Sequence, residues 1–195
     1  MRKKSIELNK EQNEKRLRIV KRFLIIAGII AIIGSGIIAW NRSVTDLYTA
    51  FVLDFIGMSF LCVGALILCS FFLYLIFVIV VFNPQRIKKS SVIKFALGGI
   101  VTLLITILLL LITTNEARKS IQDMKDYSNG EWQVKDLLVT DVYRGTRRST
   151  GVLIETSEGD MKLHWESFLI YEGQKYRFTY LEATNTILNV EVIRD

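Results

Sequence analysis

The chain of 195 residues is 51% hydrophobic, contains one proline, and has a mean hydropathy of +0.35 and a formal net charge of +6. Such a high hydropathy in so short a chain disfavours a soluble globule and indicates that much of its length lies in lipid. Residues 1–22 hold nine Lys or Arg and three Glu, whereas residues 115–195 hold eleven basic and fourteen acidic residues. The basicity is therefore local, which disfavours a folded nucleic-acid-binding surface.

The first element is the basic segment 1–22, which we expect to be cytoplasmic, juxtamembrane and in contact with anionic lipid headgroups. Three apolar runs follow in residues 23–113, and they predict transmembrane helices at about 23–40, 55–82 and 92–113. Each run is long enough, because roughly 20 helical residues cross a hydrocarbon core of about 30 Å. The first run exceeds a signal-peptide core and is followed by no cleavage motif, so it predicts a retained anchor.

The short connectors predict the orientation. Residues 83–91 carry three basic residues, whereas residues 41–49 carry Arg42 alone. Because cytoplasmic connectors are enriched in Lys and Arg, we expect a multi-pass protein with a cytoplasmic N-terminus and an extracytoplasmic C-terminal domain. The two cysteines, Cys62 and Cys69, lie in an apolar run and the C-terminal region has none, which favours a bacterial plasma membrane.

Small residues at four-residue spacing mark candidate helix-packing faces. They are Ala27, Ala31, Ser35 and Ala39 in the first span, and Gly98, Thr102 and Thr106 in the third. Small side chains let helix backbones approach and let hydroxyl groups bond across the interface. The pattern predicts packing of the first span on the third, with a homo-oligomer seam as the alternative.

Two ionisable residues, Asp54 and Lys94, lie inside the apolar runs, each near the start of its run. Both are expected to place their charge at the membrane interface. The runs contain no pair of aspartates and no HExxH motif, which disfavours catalysis inside the bilayer. The alternative is that Asp54 is functional, as in a small transport- or channel-associated subunit.

After the third span, residues 114–130 are expected to form a linker that continues the helix and ends at a turn in residues 128–130. Alternating patterns then predict a β-domain over residues 131–195, with strands at about 131–143, 149–156, 161–165, 175–181 and 187–193. Five short strands favour an OB-like barrel, with a small sandwich or another small barrel as alternatives.

The third predicted strand contains His164, the single histidine of the chain. Alternation places Met161, Leu163 and Trp165 on the core face and His164 on the outer face, where we expect an ordinary surface residue. A pH-sensitive contact with Glu166 is the alternative. The β-domain has no further His or Cys and no nucleophile motif, so we expect no metal, no cofactor and no catalytic site.

Three arginines, Arg144, Arg147 and Arg148, follow the first strand in the sequence YRGTRR. Such a cluster is suited to phosphate groups of lipids, an anionic envelope polymer or an acidic protein. We therefore expect a non-enzymatic membrane protein that presents its β-domain for partner binding in the cell envelope. An immunity or stress-protection protein is a further alternative.

A few spans followed by a small OB-like domain resemble the layout of NfeD-type bacterial membrane proteins. That resemblance concerns layout, and it implies that the C-terminal domain supports protein assemblies. It implies no site residues, because no shared motif carries it.

Overall fold

The computed structural model describes residues 2–82, 89–145 and 151–193. It consists of three long helices followed by a β-domain, which confirms the predicted class. The helices are α1 (Arg2–Asn41), α2 (Leu47–Phe77), which continues as a π-helical turn (Val78–Phe82), and α3 (Lys89–Asn129). The strands are β1 (Gln133–Arg144), β2 (Val152–Thr156), β3 (Gly159–Leu163), β4 (Lys175–Leu181) and β5 (Thr186–Val192).

Each helix contains a segment long and apolar enough to cross a membrane. These segments are Leu17–Asn41, Leu47–Val81 and Ser90–Asn129, which confirms three membrane-capable spans. The helices extend beyond the predicted spans because the adjoining polar residues are also good helix formers. As expected, α3 continues through the linker and ends in a Schellman motif, in which Gly130 has a φ of 76° and Glu131 N–H bonds to Asp126 O at 2.8 Å.

The chain divides into two compact units. One consists of Met1–Ser35 and Ser59–Thr113, and the other of Gly36–Met58 and Thr114–Asp195. The β-domain therefore shares its unit with the connection between α1 and α2. The sequence did not predict this association, because nothing in a linear pattern shows which loop a domain contacts.

In the first unit, α1 packs against α2 at Gly64, where an added Cβ would lie 3.5 Å from Ile30 Cγ2. Ala27 is 3% exposed and Ala31 is half-buried, but Ser35 and Ala39 are exposed. A stripe with four-residue spacing turns by about 40° per step around a helix of 3.6 residues per turn, so it leaves the contact face. Only the first two members of the predicted stripe lie on this face.

The third helix also contacts α2, and does so through Gly99, where an added Cβ would lie 2.9 Å from Ile76 Cγ2. Gly98 is exposed. The hydroxyls of Thr102 and Thr106 donate to carbonyls one turn earlier in the same helix, at 2.8 and 2.7 Å. The Gly99 contact is therefore with α2, the hydroxyl hydrogen bonds are within α3, and packing of the first span on the third stays a prediction.

The two adjacent glycines of α3 provide a matched test of this contact. We expect Gly99→Ala to destabilise the helical unit by about 1–2 kcal/mol, because its methyl group would overlap Ile76. Gly98→Ala meets no atom within 4 Å and should stabilise α3 by up to about 1 kcal/mol through helix propensity. Thermal unfolding of the full chain in micelles, followed by circular dichroism at 222 nm, measures both. Equal effects of the two substitutions would contradict this packing.

The β-domain is a closed barrel with strand order β1-β2-β3-β5-β4. The long β1 closes it by pairing twice: Gln133–Leu138 pair with β4, and Val139–Arg144 pair with β2 across an irregularity after Val139. The other closing contact is parallel, between Lys162 of β3 and Thr186 of β5. The barrel confirms the five predicted strands, and the OB-like label stays a prediction.

The barrel core consists of inward-facing residues at alternate strand positions. Tyr176, Phe178 and Tyr180 are buried, as predicted, together with Met161 and Leu163. Because β3 ends at Leu163, its alternation does not extend to the next two residues. Trp165, predicted to face the core, is only partly buried and lies outside the buried core cluster.

Candidate functional site

The connection between α1 and α2 is held by a helix cap, by a contact with the β-domain and by a contact with the end of α3. Asp46 caps α2 by accepting a hydrogen bond from Thr49 N–H at 2.7 Å, and the hydrogen bonds from Thr49 lower the pKa of Asp46. On the barrel side, the Trp165 indole N–H donates to Thr45 O at 3.1 Å. Tyr48 stacks on Tyr127 with ring centroids 3.5 Å apart. The connection is thus held in one position.

A second attachment joins the end of α3 to the turn between β4 and β5. The Asp123 side chain is fully buried, and its carboxylate accepts hydrogen bonds from Ala183 N–H and Thr184 N–H, both at 2.9 Å. The Thr184 hydroxyl also donates to Asp123. The three hydrogen bonds offset the free-energy cost of burying the carboxylate. This contact therefore ties the barrel to α3.

A third attachment is made by Arg144, the last residue of β1. Its guanidinium donates to both carboxylate oxygens of Glu166, at 2.9 and 2.8 Å, and to Ile170 O at 2.6 Å. Ile170 is almost fully buried in the barrel core. Arg144, predicted as a binding residue, therefore holds the segment between β3 and β4 against the barrel. Arg147 and Arg148 lie outside the described residues.

Between the barrel and the α1–α2 connection lies a cleft with a volume of about 510 Å³. We call it the interfacial cleft. Strand register places Tyr143, Leu153 and Lys162 side by side on the outer face of β1, β2 and β3. These residues form one wall, and the helical wall consists of Ile38, Asn41, Arg42 and Asp54. A smaller cavity of about 210 Å³ shares Asn41, Arg42 and His164 with it and is also lined by Trp165.

Within the described residues, the charged side chains of the interfacial cleft form no ion pair with an oppositely charged side chain. These side chains are Arg42, Lys162 and Asp54. The lining residues that the structure describes include two cations and one carboxylate, which leaves an excess of one positive charge among them. Elsewhere on the barrel, exposed cations such as Lys135 and Arg177 pair with acidic neighbours. The positive charge of its described lining residues therefore favours the binding of an anion in the cleft.

The prediction that His164 is an ordinary surface residue is wrong. It is partly buried, lines both cavities, and its ring lies 6.4 Å from that of Phe51. Burial lowers the pKa of His164, an effect that Asp54 partly opposes and Lys162 reinforces. The imidazole is therefore biased towards its neutral form, in which one ring nitrogen donates and the other accepts a hydrogen bond.

Sequence reasoning found Asp54 as a functional candidate but missed Asn41, Arg42 and Lys162. The signal for Arg42 was present, since it is the single basic residue between two apolar runs. Nothing in the sequence places it beside an outward-facing lysine of β3.

In the described residues, no group of three or more His, Cys, Asp or Glu side chains is arranged to hold a metal ion. Both cysteines are free thiols on α2. No protein-family model, curated protein or solved structure matches the chain. Functional inference therefore depends on the geometry and charge of the interfacial cleft.

Proposed function

We propose that the chain is a non-enzymatic, multi-pass plasma-membrane protein of a bacterial cell envelope. Its OB-like barrel lies outside the membrane and binds a partner, either a protein or an anionic polymer. The observation that supports this function is the interfacial cleft, with unpaired Arg42 and Lys162 beside exposed Tyr143. The basic N-terminal segment supports the orientation. The strand order and the parallel β3–β5 contact support the OB-like label.

The cleft has the properties of a preformed binding site. Its volume lies within the range of about 300–1,000 Å³ that is usual for ligand pockets. Both walls are held in place by hydrogen bonds. The Trp165 indole N–H donates to Thr45 O and holds the helical wall, and Ala183 N–H donates to the Asp123 carboxylate and holds the barrel. Preorganised walls reduce the conformational entropy lost on binding.

Affinity capture from intact cells tests this function. A membrane-impermeant, lysine-reactive crosslinker is applied to cells carrying the tagged full chain, and captured proteins are quantified by mass spectrometry. We expect Arg42→Gln to reduce the captured partner at least fivefold, because Arg42 is an unpaired cation of the cleft. This variant leaves every lysine available to the reagent.

The control for this experiment is Arg177→Gln, which removes an exposed guanidinium that is paired with Asp136 on the barrel. It should leave capture unchanged. Arg147→Ala with Arg148→Ala tests the two further arginines of the sequence YRGTRR without removing the Arg144 contact. If the lysines of the barrel never react with the crosslinker, the extracytoplasmic location is contradicted. If Arg42→Gln and Arg177→Gln reduce the captured partner equally, binding at the cleft is contradicted.

A second candidate function is a transport- or channel-associated subunit in which Asp54 acts. The observation that favours it is that Asp54 lines the cleft without an ion pair in the described residues. Asp54→Asn separates the two functions in a deletion strain. Failure to restore the wild-type phenotype, with partner capture intact, would support the transport function; full restoration would support the binding function.

A further inference from the structure

We propose that the interfacial cleft binds the headgroup of an anionic phospholipid, with the phosphate between Arg42 and Lys162 and the glycerol backbone against Ile38 and Leu153. This inference deepens the proposed function, since it assigns a ligand to the same cleft. Phosphatidylglycerol is the lipid class that best matches the charge of the cleft, its position and its hydrogen-bond acceptors.

Charge is the first reason. Arg42 and Lys162 lie on opposite walls of one cleft, neither forms an ion pair with a residue that the structure describes, and Asp54 offsets one of the two charges. A phosphodiester carries a single negative charge, which matches the remaining excess. An arginine guanidinium can donate two parallel hydrogen bonds to phosphate oxygens, and a lysine ammonium adds a point charge.

Position along the membrane-capable segments is the second reason. The helical wall comes from residues at the end of Leu17–Asn41 and near the start of Leu47–Val81. Phospholipid phosphates lie at the polar boundary of the hydrocarbon core, where such segments end. Apolar Ile38 and Leu153 line the same cleft as the cations, so the site combines an anion-binding part with an apolar part. This combination suits an amphiphile better than a free anion.

Hydrogen bonding distinguishes a glycerol headgroup from a choline headgroup. Asn41 Oδ1 is buried and accepts no hydrogen bond from any described residue. The Asp54 carboxylate lines the same cleft and is also an acceptor. Two acceptors require donors from the ligand, and the glycerol headgroup of phosphatidylglycerol has two hydroxyls. A choline headgroup has no such donor.

Binding can be measured on the full chain in maltoside micelles. In a Trp40→Phe/Trp132→Phe background, Trp165 is the single tryptophan and lines the cavity adjoining the cleft. Its emission is followed during titration with dihexanoyl phosphatidylglycerol, dihexanoyl phosphatidylcholine, glycerol 3-phosphate or inorganic phosphate. We expect saturable binding of phosphatidylglycerol at least tenfold tighter than that of the other three.

Charge variants test the residues that hold the phosphate. Arg42→Gln combined with Lys162→Gln should weaken phosphatidylglycerol binding at least tenfold, and Asp54→Asn should tighten it severalfold by removing the opposing charge. The control is Lys175→Gln, which removes a lysine that does not line the cleft. Near-ultraviolet circular dichroism checks that each variant keeps its barrel fold.

Several outcomes would overturn the inference. Equal binding of phosphatidylcholine would show partition into the apolar surface, and equal binding of inorganic phosphate would assign the site to a free anion. Equal weakening in Lys175→Gln would show that net charge, and not the cleft, controls binding. If lipid selectivity is absent while partner capture depends on Arg42, this inference fails and the proposed function stands.

Discussion

Asp123→Ala is expected to lower the free energy of unfolding of the barrel unit by about 3 kcal/mol or more. The carboxylate is fully buried and accepts hydrogen bonds from the backbone N–H groups of Ala183 and Thr184. Alanine would leave both partly buried donors without an acceptor, at a cost of about 1–3 kcal/mol each. Thermal unfolding of the full chain in micelles, followed by near-ultraviolet circular dichroism, measures the change.

Two further variants make this test specific. Asp123→Asn keeps the shape of the side chain but turns a donor NH₂ group towards backbone donors, so we expect it to lose at least half as much stability as alanine. Asp126→Ala removes an acidic residue that accepts a hydrogen bond from Gln122 on the same helix, and should cost about 0.5 kcal/mol or less. Similar losses in the Asp123 and Asp126 variants would show that the buried carboxylate is not the attachment.

Arg144→Ala should destabilise the barrel by about 2 kcal/mol. Although the arginine side chain is 41% exposed, Glu166 is only 14% exposed and would lose both hydrogen bonds from the guanidinium. Ile170 O would lose a donor as well. Arg144→Lys should recover little of the loss, because an ammonium group cannot make the bidentate contact.

The barrel contains a matched control for this substitution. Arg177 makes the same bidentate contact with Asp136, but the two side chains are 50% and 43% exposed. We expect Arg177→Ala to change the stability far less than Arg144→Ala, since exposed ion pairs are screened by solvent. A loss as large as that of Arg144→Ala would indicate that burial of the carboxylate does not determine the effect. The same unfolding measurement applies to both.

The Arg144 contact also affects how binding by the arginines of the sequence YRGTRR can be tested. A variant that removes Arg144 together with Arg147 and Arg148 would release the segment that carries Ile170, so a loss of binding could reflect a loosened barrel. Variants that keep Arg144 avoid this ambiguity.

The sequence by itself determined the class and most element positions. Three long apolar runs specify helices capable of crossing a membrane, because backbone groups in lipid must be satisfied within the segment. Alternation specified the barrel strands, and Tyr176, Phe178 and Tyr180 are buried as that pattern predicts. These properties depend on neighbours along the chain, and a local pattern is sufficient for them.

The tertiary structure alone decided which residues form the site. His164 follows the end of β3, so strand alternation had no bearing on its side chain, and its burial comes from contact with Phe51 of α2. Asp123 is one of several charged residues in the linker sequence, and only the fold brings the β4–β5 turn, which supplies its hydrogen-bond donors, next to it. Arg42 and Lys162 are 120 positions apart in the chain and line one cleft only because the barrel packs on the α1–α2 connection. Contacts at such separations depend on the packing of the whole unit, which no local pattern encodes.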